Sequence, residues 1–480
     1  MIRIYNTMTR QKEDFQPLKE GEVKMYACGI TPYDEIHVGH ARQAVVYDVI
    51  KAYLEYAGYK VEYVRNYTDV DDKIIKKAVA QGKSAAEISG YYMAENSKDL
   101  EALGVRKATY EPKVTECIAE IIAFIQGLID KGYGYVREGE VFYDIDRFPQ
   151  YGKLSNRKRE DLINSEESPN KKNPNDFVLW KPCKPGEPSW ESPWGPGRPG
   201  WHIECSAMAL KYLGESIDIH GGGLDLIFPH HENEIAQSEA LTGKPFAHYW
   251  VHNGLVMVDG TKMSKSLGNF TTVKDALQDN FPEELRYVIL THAFGSSVDF
   301  TKELFLSARK RVYYFYQTLA RVEALLGDGK ASASAAPIPL VAGMEERFAA
   351  HMDDNFNTPK VIADLGDVLK EVNKAIDSNT LSAEEKAVSL GVFKEKFARI
   401  AGILCLFNEA PETYLAMVRE KILAERGVSA ASIEEKIARR SAAKAEKDWA
   451  GADAIKGELL AQGITLQDNP DGVSWDIAFD

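Results

Sequence analysis

Two short stretches of this sequence carry side chains that could bind a nucleoside triphosphate. The first is His37-Val38-Gly39-His40, which lies between an apolar run at 23–27 and a stretch at 41–56 whose apolar residues recur at helical spacing. This pattern predicts a strand-to-helix turn, where backbone N–H groups and the positive end of the helix dipole attract an anion. Gly39 permits close approach of a ligand to the backbone, and the two imidazoles can donate hydrogen bonds to phosphate oxygens in a transition state.

The second stretch is Lys262-Met263-Ser264-Lys265-Ser266, which carries two ammonium groups and two hydroxyls. It lies between Asp259-Gly260 and Gly268-Asn269, a composition that is typical of a mobile cationic loop. Taken alone, such a loop is more often solvated surface, and the histidine tetrapeptide is more often a simple capped turn. Their occurrence together, in this order, predicts a triphosphate site whose catalytic residues are His37, His40, Lys262 and Lys265.

Length and composition limit the class of protein. The 480 residues exceed what one hydrophobic core usually holds, so we expect about three domains. Hydrophobic residues make up 44% and charged residues 27%, and no apolar run is long enough to span a bilayer. The N-terminus lacks the pattern of a signal peptide, and the five cysteines show no disulfide framework. We therefore expect a cytoplasmic enzyme with no membrane partner.

The charge distribution by itself does not favour a nucleic-acid partner. The net charge is −14, although basic residues cluster at 309–311 and recur between 436 and 447 at spacings that share a helix face. Such clusters are usually solvated helix faces with acidic neighbours.

The order of predicted elements indicates an α/β fold, with a Rossmann-like parallel sheet that is split by an insertion. Strands predicted at 23–28 and 60–66 alternate with helices predicted at 41–57 and from residue 71. The alternation resumes with a strand at 216–220, a helix at 232–241 and a strand at 249–252. The insertion between begins with a predicted helix at 118–129 and ends in a proline-rich run that fits neither a helix nor a central strand.

The second half of the chain is predicted to be mostly helical. Long periodic stretches run from 302 to 326 and from 344 onward, and an Ala/Ser/Gly/Pro-rich connector at 327–339 separates them. The stretch at 410–480 is predicted to form a small unit that ends in two short strands.

Four dispersed residues form a candidate metal site. Cys28 follows a predicted strand just before the histidine turn, and Cys205 lies where the sheet resumes. His230 and Glu234 are four residues apart and share a helix face if Pro229 begins that helix. Two thiols, an imidazole and a carboxylate suit tetrahedral zinc. Because isolated buried cysteines are common, spacing alone leaves structural cysteines as the alternative.

The two signatures resemble those of the class I aminoacyl-tRNA synthetases, and further stretches resemble the cysteinyl-tRNA synthetase family within that class. These stretches lie at 25–29, 68–73, 200–208, 220–239 and 259–269, and the similarity continues at 352–359 and 447–475. The family activates L-cysteine with ATP and Mg²⁺ and esterifies it to tRNA(Cys). A zinc ion that binds the substrate thiolate would reject serine at the first step, so no large editing domain is required.

The resemblance assigns roles to individual residues. It implies that one zinc ion is bound by Cys28, Cys205, His230 and Glu234, and that the cysteine pocket is shaped by Thr68, Trp201 and His220. It also implies that ATP is contacted by His37, Gly39, His40, Gly222, Asp225 and Lys265.

The resemblance also gives a domain division, with a monomer as the expected state. The segments are the first half of the catalytic domain at 1–110, a connective-peptide insertion at 111–200, the second half at 201–258, a stem-contact region with the lysine loop at 259–312, a tRNA-binding helical bundle at 313–405 and an anticodon-recognition domain at 406–480. Within the last segment, Trp475 and the basic residues near Arg439 are our hypothesis for anticodon contact.

Two departures from the family pattern leave alternatives open. The family usually has asparagine where this chain has His40, the residue that most other class I synthetases use. The sequence Ile30-Thr31-Pro32 resembles that of the cysteine ligase of mycothiol synthesis, which joins activated cysteine to an amino-sugar. That ligase is the first alternative, although it does not share the region beyond residue 345 in full. A synthetase-like binding protein without activation chemistry is the second.

Overall fold

A computed structural model describes residues 1–157, 168–263, 269–327, 335–469 and 472–479. The chain divides into two compact units. The first comprises Met1–Phe305, Gly343–Leu365 and Arg399–Leu406, and the second comprises Leu306–Ala342, Gly366–Ala398 and Phe407–Asp480. The predicted segment 313–405 contributes to both units, and the six-part division stays a prediction.

The elements of the chain up to residue 300 include both strands and helices. They are β1 (Arg3–Asn6), β2 (Gln11–Asp14), β3 (Glu22–Ile30), α1 (Val38–Tyr56), β4 (Lys60–Tyr67), α2 (Asp72–Gln81), α3 (Ala85–Ala102), α4 (Ile118–Asp130), β5 (Gly134–Arg137), β6 (Glu140–Tyr143), β7 (Phe177–Pro182), β8 (Gly197–Pro199), α5 (Ile203–Leu213), β9 (Ile217–Gly223), α6 (Glu232–Thr242), β10 (Ala247–Asn253), β11 (Val256–Val258), β12 (Thr261–Lys262), α7 (Val273–Asp279), α8 (Pro282–Leu290) and β13 (Val298–Phe300).

The later elements are mostly helices. They are α9 (Lys302–Leu326), α10 (Pro339–Ala342), α11 (Met344–Asp353), α12 (Thr358–Asp377), α13 (Ala383–Leu404), α14 (Pro411–Arg426), α15 (Ala430–Ala445), α16 (Trp449–Ala461), β14 (Ile464–Asn469) and β15 (Gly472–Ile477).

A four-stranded parallel sheet in the order β10-β9-β3-β4 forms the centre of the first unit. All residues of β9 and most residues of β3 are buried, as expected for a parallel sheet with covered faces. The neighbours β3 and β9 are separated in sequence by the insertion, so the predicted split α/β fold is confirmed. The strand and helix bounds differ from the predicted ones by a few residues, because element ends are set by contacts that the pattern does not show.

The insertion contains α4 and an antiparallel sheet in the order β5-β6-β7-β8. The predicted helix at 118–129 is therefore present as α4. Proline occurs at the last position of β7 and on the edge strand β8, where a missing N–H donor is tolerated.

The segment that follows the lysine stretch pairs with the histidine turn. The backbone N–H of Val38 donates to the carbonyl of Thr271 at 3.2 Å, and that of Val273 donates to Ile36 at 2.9 Å. Thr272 caps α7 in a capping box with Asp275. The chain therefore returns beside the turn immediately after the lysine loop.

Helices α1 and α8 are joined by a buried ion pair. Asp48 on α1 is 2.5 Å from the guanidinium of Arg286 and also accepts hydrogen bonds from Arg106 at 2.8 and 2.9 Å. Arg286 donates further to the carbonyls of Leu103 and Leu404. Every charged group in this cluster therefore has a partner, which is the condition for burying charge without a large cost.

The second unit joins helices to the small C-terminal hairpin of β14 and β15. Asp476 on β15 accepts hydrogen bonds from Tyr313 on α9 and from Arg419 on α14, the latter at 3.1 Å. Tyr316 and Tyr414 stack with ring centroids 4.1 Å apart. The predicted connector at 327–339 lies largely outside the described residues. Among the described helices, none combines the length and apolar character that a membrane span requires.

Candidate functional site

A cavity of about 370 Å³ lies at the carboxyl edge of the parallel sheet. Its walls come from the ends of β3, β4, β9 and β10, the start of α1 and the chain beyond β10 and β12. In open α/β sheets, ligands bind in this position because the strand ends and helix N-termini face it. The residues that line the cavity include Cys28 and Cys205 as well as His37, Gly39 and His40. The candidate metal site and the predicted triphosphate site therefore belong to one cavity.

The four predicted metal ligands lie together. The sulfur atoms of Cys28 and Cys205 are 3.7 Å apart, and the Cys28 sulfur is 3.3 Å from Oε1 of Glu234. Nε2 of His230 is 3.0 Å from the same Oε1. One ligand atom from each residue falls within 4.8 Å of the other three, and all four residues are buried. This arrangement can hold a metal ion.

The backbone that carries His230 is helical, as its pairing with Glu234 requires. Helix α6 begins at Glu232, in agreement with the helix predicted at 232–241, and it follows a π-type turn at Ile227–His231. Within that turn Phe228 is the residue with extended backbone angles (φ −138°, ψ 130°), so the helical backbone begins at Pro229. The imidazole of His230 and the carboxylate of Glu234, four residues apart, therefore lie on the same side and meet.

A second group of potential ligands shares two members with the first. It consists of Cys28, Glu234, His220 and His231. Nε2 of His220 lies 2.7 Å from Oε2 of Glu234, and Nε2 of His231 lies 3.3 Å from the Cys28 sulfur. Imidazoles that bind the ligands of a metal site orient those ligands. His220 is thus placed to hold the Glu234 carboxylate.

Burial and charge set the protonation of this cluster. Burial raises the pKa of the Cys28 thiol well above its usual value, whereas the hydrogen bond with Cys28 lowers the pKa of Cys205 to about 6. Burial alone would raise the pKa of Glu234, but the charges of His220 and His230 outweigh it and hold the pKa well below the usual range. Burial alone would lower the pKa of His230, but the Glu234 charge and the bond with Cys205 raise it to about 10. One thiol and the carboxylate are therefore favoured in their anionic, metal-binding forms.

Histidine side chains form a further chain behind the cluster. Nδ1 of His231 is 2.8 Å from Nε2 of His252, whose Nδ1 is 2.8 Å from the hydroxyl of Thr7. Nδ1 of His202 is 3.0 Å from Nδ1 of His230. Burial lowers the pKa of His202 and His231 well below the usual value and that of His252 to about 3, so these rings are neutral at pH 7. No role was predicted from the sequence for these three residues, although His202 directly follows Trp201 and His231 directly follows His230.

The histidine turn is both a helix cap and a wall of the cavity. Nδ1 of His37 accepts hydrogen bonds from the backbone N–H groups of Gly39 at 3.0 Å and His40 at 3.3 Å. The neutral ring of His37 must therefore carry its proton on Nε2, where it can serve a ligand oxygen. The rings of His37 and His40 stack with centroids 3.7 Å apart. A Cβ atom on Gly39 would lie 2.8 Å from the His37 ring, so a side chain at this position would push the ring away.

The lysine stretch is described only in part. Lys262 is the last residue of β12, and Met263 lines the cavity. Lys265 lies outside the described residues.

The residues expected to shape the cysteine pocket do not all line the cavity. Thr68 and Trp201 do, and the Trp201 ring lies over His230 with centroids 4.4 Å apart. Thr68 donates a hydrogen bond to Glu204 at 2.9 Å. Within the described part of the chain, His220 is not a lining residue and is fully buried between Tyr26 and Glu234. Its role toward the substrate stays a prediction.

Of the two residues expected at the adenosine site, Asp225 and Gly222, only Asp225 is among the described residues that line the cavity. Asp225 lines the cavity, together with Gly223. A Cβ atom on Gly222 would meet Leu226 at 2.7 Å and His231 at 3.3 Å, so this glycine allows close packing behind the wall. Both assignments stay predictions.

The residues expected to contact an anticodon are engaged within the second unit. Nε1 of Trp475 donates to Glu434 at 2.6 Å, and Arg440, a neighbour of the exposed Arg439, is buried and paired with Asp468. By contrast, Trp449 at the start of α16 is 61% exposed. Exposure is a property that the sequence did not reveal.

Comparisons with known proteins agree with this architecture. Residues 14–310 match the family model "tRNA synthetases class I (C) catalytic domain", and residues 347–408 match the DALR domain. The chain is 46% identical to the cysteine–tRNA ligase of Syntrophotalea carbinolica over 483 residues, covering 99% of both chains. It is 46% identical to the cysteine–tRNA ligase of Geobacter sulfurreducens, again with 99% coverage of both.

Solved structures of other synthetases share the fold. Mycobacterium tuberculosis methionyl-tRNA synthetase in complex with methionyl-adenylate matches with a TM-score of 0.62 at 15% identity, covering 85% of this chain and 94% of that one. Thermus thermophilus arginyl-tRNA synthetase matches with a TM-score of 0.54 at 13% identity, covering 84% of this chain and 85% of that one. At these identities the likeness concerns the fold alone.

Proposed function

The chain belongs to the cysteine–tRNA ligase family of class I aminoacyl-tRNA synthetases, and on this premise we propose that it activates L-cysteine with ATP and transfers it to the 3′ end of tRNA(Cys). The observation that carries this proposal is the shared cavity, which has a cluster of thiols at one part of its wall and the histidine turn at another. A thiol-binding group and a phosphate-binding turn are the two recognition elements that cysteinyl-adenylate formation requires.

In the activation step, the substrate carboxylate attacks the α-phosphorus of ATP and pyrophosphate leaves. The protein supplies position and charge rather than a covalent intermediate. The positive end of the α1 dipole and the Nε2–H of His37 would stabilise developing charge on phosphate oxygens, with the His40 ring stacked on that of His37. Lys262 and Lys265 would neutralise the leaving pyrophosphate together with Mg²⁺.

The metal cluster fits one zinc ion. Cys28, Cys205, His230 and Glu234 form a borderline-soft donor set of two sulfurs, one nitrogen and one oxygen. When bound, zinc would supply a thiophilic Lewis acid that prefers the thiolate of cysteine to the hydroxyl of serine. The protein's contribution is to present the four donors, to hold the Glu234 carboxylate through His220, and to cover His230 with the Trp201 ring.

Substrate recognition is proposed for the remaining walls of the cavity. Thr68 and Trp201 would enclose the cysteine moiety. Asp225 would bind ribose hydroxyls, and Gly222 would let β9 pack closely enough to admit the nucleoside beside it.

The transfer step requires a tRNA-binding region, which we assign to the part of the chain beyond the catalytic domain. The support is the DALR match at 347–408 and an exposed aromatic, Trp449, close to the basic residues of α15. Nucleobases stack on exposed aromatic rings, and basic side chains pair with phosphates. We expect the reaction to take place in the cytoplasm, where translation proceeds, with the enzyme as a monomer.

Cysteine-dependent ATP–pyrophosphate exchange, followed by transfer of labelled cysteine, tests the proposal. We expect exchange with cysteine but not with serine, and charging of tRNA(Cys). The full-length match to tRNA ligases disfavours the cysteine ligase of mycothiol synthesis. Exchange without tRNA charging, together with transfer to the amino-sugar, would favour that ligase instead. Absence of exchange with cysteine would favour a binding protein without catalysis.

A further inference from the structure

One cavity wall contains a buried hydrogen-bond acceptor that has no partner within the described part of the chain. Asn253 is the last residue of β10 and pairs with Gly223, the last residue of β9. Asn253 is only 4% exposed and lines the cavity. Its Oδ1 is buried and accepts no hydrogen bond from any residue that the structure describes. A buried polar atom without a partner is costly, and in native proteins such an atom usually has a ligand or a functional reason.

The hydrogen bond made by Nδ2 fixes which way the Asn253 side-chain amide is oriented. Nδ2 donates to the carbonyl of Gly254 at 3.3 Å. The reversed amide would place two carbonyl oxygens against each other, so the oxygen is the atom that lacks a partner. The terminal torsion of asparagine is broad, and a modest rotation can therefore turn Oδ1 toward the cavity.

The position of Asn253 indicates which part of the substrate is near. Under the proposed function, the thiol of cysteine lies at Cys28 and Cys205, and the phosphates lie at the histidine turn. Other lining residues include Gly223, Asp225 and the residues from Asn253 to Val256, which lie at or just beyond the ends of β9 and β10. The nucleoside half of ATP is assigned to this part of the wall, because Asp225, the proposed ribose contact, lies there.

We propose that Asn253 is a nucleoside-binding residue whose Oδ1 accepts a hydrogen bond from ATP. The donor is either the N–H of the exocyclic amine of adenine or the O–H of a ribose hydroxyl. Either group can donate to the Oδ1 acceptor. If the amine is the donor, the contact also selects ATP against GTP, because guanine presents a carbonyl oxygen at that ring position. This inference rests on the proposed function and adds a specificity residue to it.

The test is cysteine-dependent ATP–pyrophosphate exchange by the full-length enzyme and its Asn253→Leu variant. Leucine has nearly the same shape as asparagine but no acceptor. We expect Asn253→Leu to raise the KM for ATP about tenfold, the usual effect of one lost hydrogen bond to a buried partner, and to leave the KM for cysteine unchanged. A purely structural effect would change both.

Nucleotide analogues identify the donor. Purine riboside triphosphate lacks the amine, and 2′-deoxy-ATP and 3′-deoxy-ATP each lack one hydroxyl. The wild-type enzyme should discriminate against the analogue that lacks the donor, and Asn253→Leu should lose that discrimination. Asn253→Asp retains an acceptor oxygen and should therefore keep the discrimination against that analogue. If the leucine variant does not fold, as judged by thermal unfolding, Asn253→Ala replaces it.

Two results would overturn the inference. One is that the penalties of all three analogues persist unchanged in the variant without an acceptor. The other is an equal rise of the KM for cysteine and for ATP. Absence of cysteine-dependent exchange in the wild-type enzyme would instead refute the proposed function, so the two failures are distinguishable.

Discussion

The two oxygens of the Glu234 carboxylate have different partners: Oε2 lies 2.7 Å from Nε2 of His220, and Oε1 lies 3.0 Å from Nε2 of His230. One oxygen is thus held by a ring outside the predicted ligand set, and the other faces the metal cluster. A ligand that is held in place before the metal arrives loses less entropy on binding, so His220 is placed to strengthen the site.

Replacing His220 should therefore weaken metal binding without removing any of the four predicted ligands. We expect His220→Phe, which keeps a ring of similar volume, to lower zinc affinity about 10- to 100-fold. Competition with a calibrated chelator measures this. His248→Phe, at an exposed histidine of β10, is the control and should leave the affinity unchanged. Equal affinities in His220→Phe and the wild type would contradict the role.

Cys205→Ser should disturb both the metal and the amino acid. We expect zinc to fall below one per chain and the affinity for cysteine to drop about tenfold or more, because a hydroxyl is a poorer zinc ligand than a thiolate. Metal analysis and calorimetric titration with cysteine measure the two effects. Cys183→Ser, outside the cluster, should change neither. Full cysteine affinity in a metal-free preparation would refute the link between metal and substrate.

Two substitutions at His37 separate its capping role from its catalytic role. Asparagine is a good N-cap, so His37→Asn should retain the capping bonds to Gly39 and His40, whereas His37→Ala should lose about 0.5–2 kcal/mol of stability. Both variants lack the imidazole, and we expect each to slow ATP–pyrophosphate exchange about 100-fold or more. Thermal unfolding and exchange kinetics measure the two properties. Wild-type exchange by His37→Asn would exclude a role for the ring in chemistry.

The pairing of Asp48 with Arg286 and Arg106 should make stability depend on pH in one direction. Burial by itself raises the pKa of Asp48, but its hydrogen bond with Arg106 and the charge of Arg286 outweigh burial and bring the pKa below its usual value. A lowered folded-state pKa contributes stability that is present above the unfolded value of about 3.9 and is lost as the pH falls through the folded value.

Asp48→Asn should accordingly be least stable relative to the wild type at neutral pH. We expect a loss of about 3–5 kcal/mol there, because two arginines lose their buried partner. The difference should shrink as the pH falls below about 4. Chemical unfolding of both proteins over a pH series measures it. A difference that grows on acidification would reverse the assigned sign.

Trp449→Ala tests the tRNA-binding assignment. This residue is exposed on the second unit and contributes no core packing there, so the variant should fold normally. We expect kcat/KM for tRNA to fall about tenfold, the usual contribution of one stacked base, while exchange stays unchanged. Trp475→Phe, which removes the hydrogen bond from Nε1 to Glu434 and keeps an aromatic ring, is the variant with which the tRNA kinetics of Trp449→Ala are compared. An equal loss of charging and exchange would count against the assignment.

Local sequence patterns were sufficient to predict the four strands of the parallel sheet and several of the helices. The strand before the histidine turn, the helix after it and the later strand-helix pairs follow from periodicity and turn residues, because side-chain periodicity is a local property of the sequence. Strand pairing is not local, as the pairing of β3 with β9 shows. The helix predicted at 232–241 is α6, and helical backbone begins before it at Pro229, directly after the extended Phe228. The two signatures predict a triphosphate site, because residue type and spacing carry that chemistry directly, and this site stays a prediction.

Only the tertiary structure determined which distant residues meet. Cys28 and Cys205 are 177 positions apart, and their sulfurs come within 3.7 Å because α5, which carries Cys205, packs against β3, which carries Cys28. The same packing placed His220 behind Glu234 rather than in the cavity wall, and it left Oδ1 of Asn253 buried without a partner among the described residues. The sequence by itself determined which chemical groups are present and their local conformations. Their distances, burial and pKa values depend on contacts between elements far apart in the chain, which only the fold establishes.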